Sequence, residues 1–157
     1  MTTKFVPQQG SCECHANTFN INAKPIGRFI CHCTICQAFT GKSNNDVTIL
    51  LSKDVNALNL EKTQFKRWKL PPNIRRGTCT QCNKPSIELG MAGSLVFIPT
   101  ANYPHPEALP APTVHLFYNR RVHDIKDGLP KYSGFVKSQA IIFWVILRGI
   151  YKRLTGQ

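Results

Sequence analysis

Acidic residues are scarce in this chain: 8 Asp and Glu stand against 20 Lys and Arg, a formal charge of +12 over 157 residues. Long apolar runs are missing too. The solid run from Ile141 to Leu147 falls well short of the about 20 residues that a bilayer-spanning helix needs. The amino terminus, MTTKFVPQQG, has no apolar signal core. These absences argue against a spanning helix and place the expected compartment in the cytoplasm, where thiols stay reduced. There is no internal repeat, low-complexity tract or domain-splitting linker, so one compact domain is expected. The cysteine count, 7, is odd, which excludes a complete set of internal disulfides.

What is present is basic and moderately apolar. The apolar fraction, 42%, excludes a disordered chain. The positive charge falls to about +9 if seven thiolates and two Zn²⁺ are counted. It suits a solvated surface or an anionic partner: a small acidic substrate, nucleic acid or anionic lipid. Its clusters are modest and scattered, at Lys66-Arg67-Trp68-Lys69, Arg75-Arg76, Arg120-Arg121 and the carboxy-terminal end. No dense basic tract dominates, which weighs against nucleic acid.

The local patterns are mainly those of strands. Between Asn17 and Ala23, Phe19, Ile21 and Ala23 alternate with polar residues, the mark of a half-buried strand. Pro25 and Gly27 predict a turn, and Arg28-Phe29-Ile30 a strand. Val47 to Leu51 predicts a central strand, Phe65 to Leu70 another, and Val114 to Asn119 a third with alternating faces. Asp54 to Leu58 predicts a short helical turn capped by Asp54. Five prolines between Pro99 and Pro112 exclude a helix or central strand there. Asp127-Gly128-Leu129-Pro130 predicts a turn. Ser138 to Leu154 lacks proline and predicts a helix, with Leu147, Ile150, Tyr151 and Leu154 on one face. That helix is expected to dock on the core, to form a homodimer contact, or to lie on a membrane surface as a basic, aromatic-rich amphipathic element. The division expected is a zinc-binding domain over 1–137 with a helical extension over 138–157 packed on or beside it.

All the cysteines fall in three clusters: Cys12-Glu13-Cys14, Cys31-His32-Cys33-Thr34-Ile35-Cys36, and Cys79-Thr80-Gln81-Cys82. Clustering of this kind in a reduced compartment points to metal. Zinc takes four ligands in a tetrahedron and accepts an all-thiolate set. Cys12, Cys14, Cys79 and Cys82 can close one such site, which would be structural and contribute folding energy. Cys31, Cys33 and Cys36 then supply three thiolates and leave a fourth position for water or a substrate thiolate. A histidine (His15, His32, His105, His115 or His123) could instead close the second site. Iron–sulfur ligation is an alternative on ligand type. A redox role for Cys79 and Cys82 lacks the surrounding βαβ pattern.

CxCH near the start, CHCxxCQ further on and the later CxxC resemble the glutathione-dependent formaldehyde-activating enzyme family, which includes the centromere protein V domain. Asp127-Gly128-Leu129-Pro130-Lys131-Tyr132 looks like its closing motif, and Gly93-Ser94-Leu95 like its glycine-bearing stretch. The likeness covers roughly Gly10 to Phe135. It implies a mainly β, β-tent-type, single-domain zinc-binding fold with short helical turns. It implies two zinc ions per chain, a structural one on Cys12, Cys14, Cys79 and Cys82, and a functional one on Cys31, Cys33 and Cys36. It also implies carbon–sulfur lyase chemistry, the addition of glutathione to formaldehyde or a related small aldehyde. Asn83 stands where the family usually has Gly, and His15 replaces another frequent Gly; Asn tolerates the left-handed backbone such a turn needs.

For the glutathione carboxylates, the cations nearest the clusters in sequence are Arg28, Lys42, Arg75 and Arg76. His32 is a candidate proton shuttle, and Gln37 a support for the metal knuckle. Two other function classes are expected to compete: a non-catalytic zinc module that binds glutathione or another thiol as carrier or sensor, and a basic nucleic-acid or membrane interaction protein.

Overall fold

A computed structural model of the protein describes residues 4–157. Its strands are β1 (Gln8–Ser11), β2 (Thr18–Ile21), β3 (Gly27–Cys31), β4 (Asn45–Leu51), β5 (Val55–Ala57), β6 (Thr63–Arg67), β7 (Arg75–Cys79), β8 (Pro85–Gly90), β9 (Leu95–Pro99) and β10 (His115–Leu116). Two α-helices, α1 (Thr34–Thr40) and α2 (Phe135–Thr155), accompany them, with short 3₁₀ turns between elements. The mainly β, single-domain architecture expected from the sequence is the one observed.

The strands form a seven-stranded sheet, in the order β10-β3-β4-β9-β8-β7-β6, and a three-stranded sheet, β1-β2-β5. Neighbours in the large sheet pair antiparallel except β10 and β3, which are parallel. Strands β4 and β9 are apolar on both faces because both faces are covered. Val47, Ile49, Leu95 and Phe97 enter a core shared with α2, while Leu50, Val96 and Ile98 enter a second core with Phe19 and Ile21 of the small sheet.

Several local expectations need correction. Asp54 to Leu58 is not a helical turn. Asp54 ends a 3₁₀ turn and Val55–Ala57 pairs with β2, because the Asp54 carboxylate is buried and taken by Arg153 instead of capping a helix. The strand expected over Val114 to Asn119 is cut to two residues, since Phe117 adopts a left-handed φ of 54° and turns the chain. The strand expected to reach Leu70 ends at Arg67. Helix α1 was not anticipated: Thr34–Thr40 is too short to show a period, and its start is set by Cys33. Helix α2 begins at Phe135, three residues before Ser138, whose buried hydroxyl accepts from the Phe117 N–H at 2.9 Å.

The inner face of α2 docks on the core through Val145 and Ile146, with Ile141, Ile142 and Ile150 alongside. Gly149 allows the close approach, because its backbone lies directly against the Ile26 carbonyl. The opposite face stays exposed. No helix among the described residues is long and apolar enough to cross a membrane.

Candidate metal centres

The two hairpin turns that carry the outer cysteines come together at one end of the two sheets. Cys12 and Cys14 follow β1; Cys79 closes β7, and Cys82 lies in the turn before β8. Their four sulfurs lie within 4.8 Å of one another. Cys12 to Cys14 and Cys14 to Cys79 are each 3.7 Å apart. A tetrahedron with zinc–sulfur bonds of about 2.3 Å has sulfur–sulfur edges of about 3.8 Å, so the donor set and its spacing fit zinc.

Local backbone geometry produces that spacing. His15 and Asn83, each just after the second cysteine of its pair, have left-handed φ values of 61° and 56°. Their N–H groups return to the carbonyls of Cys12 and Cys79, at 3.0 and 2.9 Å. Main-chain N–H groups of Asn17 and Gln81 reach the sulfurs of Cys12 and Cys79, at 3.4 Å each. This cluster joins a hairpin of the small sheet to a hairpin of the large one.

The second cluster is built where β3 runs into α1. Cys31 ends the strand, Cys33 caps the helix and Cys36 sits in its first turn, and these three sulfurs also lie within 4.8 Å of one another. The Cys33 sulfur accepts the Cys36 N–H at 3.3 Å, an N-cap bond that favours a thiolate. Hydrogen bonds from Cys31 and Cys36 pull Cys33 down to about 3. Cys31 is pushed well up by donating to Cys33 and Cys36, and further by burial. Metal binding there must therefore displace protons. Gln37 donates to the carbonyls of His32 and Arg120, at 2.6 and 2.8 Å, and so ties the knuckle to the segment after β10.

All three cysteines of this cluster line a cavity of about 340 Å³. Its walls are mostly apolar, with Phe29, Val47 and Phe97 from the large sheet and Phe117, Phe135 and Ile142 opposite. Arg76 and Glu88 are buried in it. The Arg76 Nε is 3.0 Å from a Glu88 oxygen, with its N–H pointing off that line, and Nη2 is 3.8 Å from the Cys36 sulfur. Burial lifts the Glu88 carboxyl to about 7 against the pull of Arg76. Lys69 and Arg120 are exposed cations on the lining.

Of the cations expected from sequence to meet the glutathione carboxylates, only Arg76 reaches this cavity. Arg28 pairs with Asp46 at 2.7 Å and lines a different groove. Lys42 is exposed beyond α1, and Arg75 stacks over Phe65 at 5.8 Å. His32 is buried and directed away from the sulfurs it separates in sequence. Its Nε2 is 2.8 Å from His115 Nδ1, and His115 Nε2 is 2.6 Å from Asp127. Ionised Asp127 only accepts, so His115 donates to it from Nε2, and in the neutral tautomer this fixes, Nδ1 is the acceptor that faces His32. Burial, then His115, lowers His32 to about 4, which leaves it neutral near pH 7. Hydrogen bonds from His115 and then Lys131 hold Asp127 well below the usual carboxylate range. The Asp127–Tyr132 segment thus clamps His115 from outside.

Sequence reasoning gave no site role to Glu88, to the aromatic walls, or to Lys69 and Arg120, which it placed only in scattered basic clusters. Glu88 left one signal, a lone acid inside an otherwise apolar strand. Nothing local assigns the others to one cavity, because they meet only in the folded chain, through the turn at Phe117 and the docking of α2.

Residues 7–120 match the glutathione-dependent formaldehyde-activating enzyme family. The chain belongs to that family. The match stops short of the Asp127–Tyr132 segment and of α2. No curated protein matches the chain. Among solved structures, the crystal structure of a Rhodobacter sphaeroides protein is similar at 13% identity and a TM-score of 0.49, covering 60% of this chain and 85% of that one. A likeness that loose carries no argument about function.

Proposed function

We propose that this protein is a zinc-dependent carbon–sulfur lyase-type enzyme that joins a thiol, glutathione in the family's case, to formaldehyde or a related small aldehyde. The observation that carries the reading is that Cys31, Cys33 and Cys36 line the cavity, whereas Cys12, Cys14, Cys79 and Cys82 do not. The four-sulfur set would hold a structural zinc and the three-sulfur set a functional one.

Zinc held by three thiolates supplies, when bound, a position that keeps a fourth sulfur deprotonated at neutral pH. The chain's own residues do the rest. Cys33, at the start of α1, anchors the set as its most acidic thiol. The apolar walls exclude water from the reacting groups and hold them close, which raises their effective concentration. The incoming thiol gives up its proton to bulk solvent as it enters, its sulfur bonds to the carbonyl carbon, and the carbonyl electron pair moves to oxygen, which regains one proton from bulk solvent as the adduct leaves. Lys69 and Arg120 are the cations we assign to the carboxylates of glutathione, in place of Arg28, Lys42 and Arg75, whose side chains lie off the cavity. Arg76 acts through Glu88 and Cys36, and His32 positions the knuckle through His115.

The test pairs metal analysis with NMR of adduct formation from glutathione and isotope-labelled formaldehyde. The wild type should accelerate the reaction. Cys36→Ser should lose half the zinc, keep its fold and lose the acceleration, while Cys79→Ser should unfold. Equal collapse of both variants would refute the division into structural and functional sites. Glutathione binding without acceleration would mark a thiol carrier or sensor instead.

A further inference from the structure

The exposed face of α2 has no role in the chemistry above. Val136, Phe143, Trp144, Leu147, Tyr151 and Leu154 are all exposed, from 50% for Leu147 to 82% for Leu154. At 3.6 residues per turn they share one stripe of about 100°. A contiguous apolar stripe of this kind on a protein surface marks an interaction site.

The borders of the stripe say what covers it. Lys137, Arg148 and Lys152 follow one edge, and the helix contains neither Asp nor Glu. Along that edge runs a groove of about 570 Å³, lined by Lys24, Arg148 and Lys152 together with Trp144. The groove also holds Arg28 and Arg153, but those are neutralised by Asp46 and Asp54. Lys24, Arg148 and Lys152 have no acidic partner among the described residues. Arg148 lies 5.0 Å over the Trp144 ring, which places a cation and an amphipathic aromatic side by side. A second copy of this helix would bring more cations against these with no acid to meet them. A bilayer surface with anionic headgroups supplies both parts: acyl chains for the stripe and phosphates for the groove.

We propose that α2 is a membrane-surface anchor, its outer face dipping into the headgroup boundary of an anionic bilayer and the Lys24–Arg148–Lys152 groove taking a lipid phosphate. The inner face keeps the helix docked on the core, so the protein lies on the membrane without spanning it. The anchor is separate from both cysteine clusters, and its test does not depend on catalysis.

The experiment is flotation of the full chain with phosphatidylcholine vesicles, alone or mixed with phosphatidylglycerol, at rising salt. The wild type should bind the anionic vesicles and release progressively as salt screens the headgroups. The double variant Arg148→Gln, Lys152→Gln should bind anionic vesicles about 30-fold more weakly, at roughly fivefold per cation. Phe143→Ser with Leu147→Ser should lose binding at every salt concentration. Circular dichroism and zinc content should stay unchanged in both variants, since the altered positions are exposed. No flotation of the wild type, or equal flotation of all forms, would overturn the proposal. So would a dimer in sedimentation that Phe143→Ser, Leu147→Ser dissolves, since that would give the stripe to a second copy.

Discussion

Gly149→Ala is a sharp probe of how α2 is held, because two effects of opposite sign compete. On helix propensity alone, alanine inside α2 should stabilise by about 1 kcal/mol. A Cβ at this position, however, would sit 2.0 Å from the Ile26 carbonyl oxygen and 2.8 Å from its carbonyl carbon. Those are backbone atoms and cannot swing aside as a side chain would. Ile26 is also pinned, its N–H donating to the Ile49 carbonyl of β4 at 2.8 Å. The helix must therefore move away by about an ångström, loosening Val145 and Ile146 in the core. Overpacking costs about 1–3 kcal/mol, and contact with fixed backbone puts this case near the upper end. The net expectation is a loss of about 2 kcal/mol. For a chain of this size that lowers Tm by roughly 4–8 °C. Urea unfolding and thermal melts of the zinc-loaded protein measure it. Val136→Ala, at a position 79% exposed on the same helix, is the control and should stay within about 0.5 kcal/mol. A neutral or stabilised Gly149→Ala would show that α2 is not seated by this contact, and the docking described here would be wrong.

The remaining predictions concern pH and the cavity. Glu88, raised by burial to about 7 from 4.5, is protonated in the folded state where the unfolded chain is ionised, so its contribution to stability falls as pH rises through that window, by up to about 3 kcal/mol. His32, lowered to about 4 from 6.5, works in the opposite sense: its contribution is present above 6.5 and is lost as pH falls toward 4. The two should nearly cancel in the wild type between about pH 5 and 6.5. Urea melts of Glu88→Gln should then show stability rising with pH, and melts of His32→Gln the reverse; a flat profile in both would refute these assignments. Ile142→Trp should fill the cavity and slow adduct formation at least about tenfold with both zinc sites retained, whereas unchanged turnover would place the reaction elsewhere.

The grouping of the cysteines was legible in the sequence because knuckle spacing is local chemistry. One or two residues between cysteines allow one turn to aim both sulfurs at one point, and a left-handed residue such as His15 or Asn83 completes that turn within the same stretch of chain. The four-plus-three grouping follows from ligand arithmetic, and the central strand Val47–Leu51 from its apolar run. Helix α1 leaves no periodic signal in the sequence because seven residues are too few for one. Asp54 looks like a cap in sequence because its partner, Arg153, lies near the far end of the chain.

What tertiary structure alone decided is the character of the cavity and the fate of each charge. Arg76 is buried against Glu88, and Arg28 is spent on Asp46, because strand pairing in the large sheet sets them there. His32 is turned from the sulfurs by its bond to His115, which the Asp127–Tyr132 segment clamps in place. The two faces of α2 were both apolar in sequence, and only docking determined which one is covered. Burial is a property of the assembled elements: a helix apolar on opposite sides does not say which side the core will take.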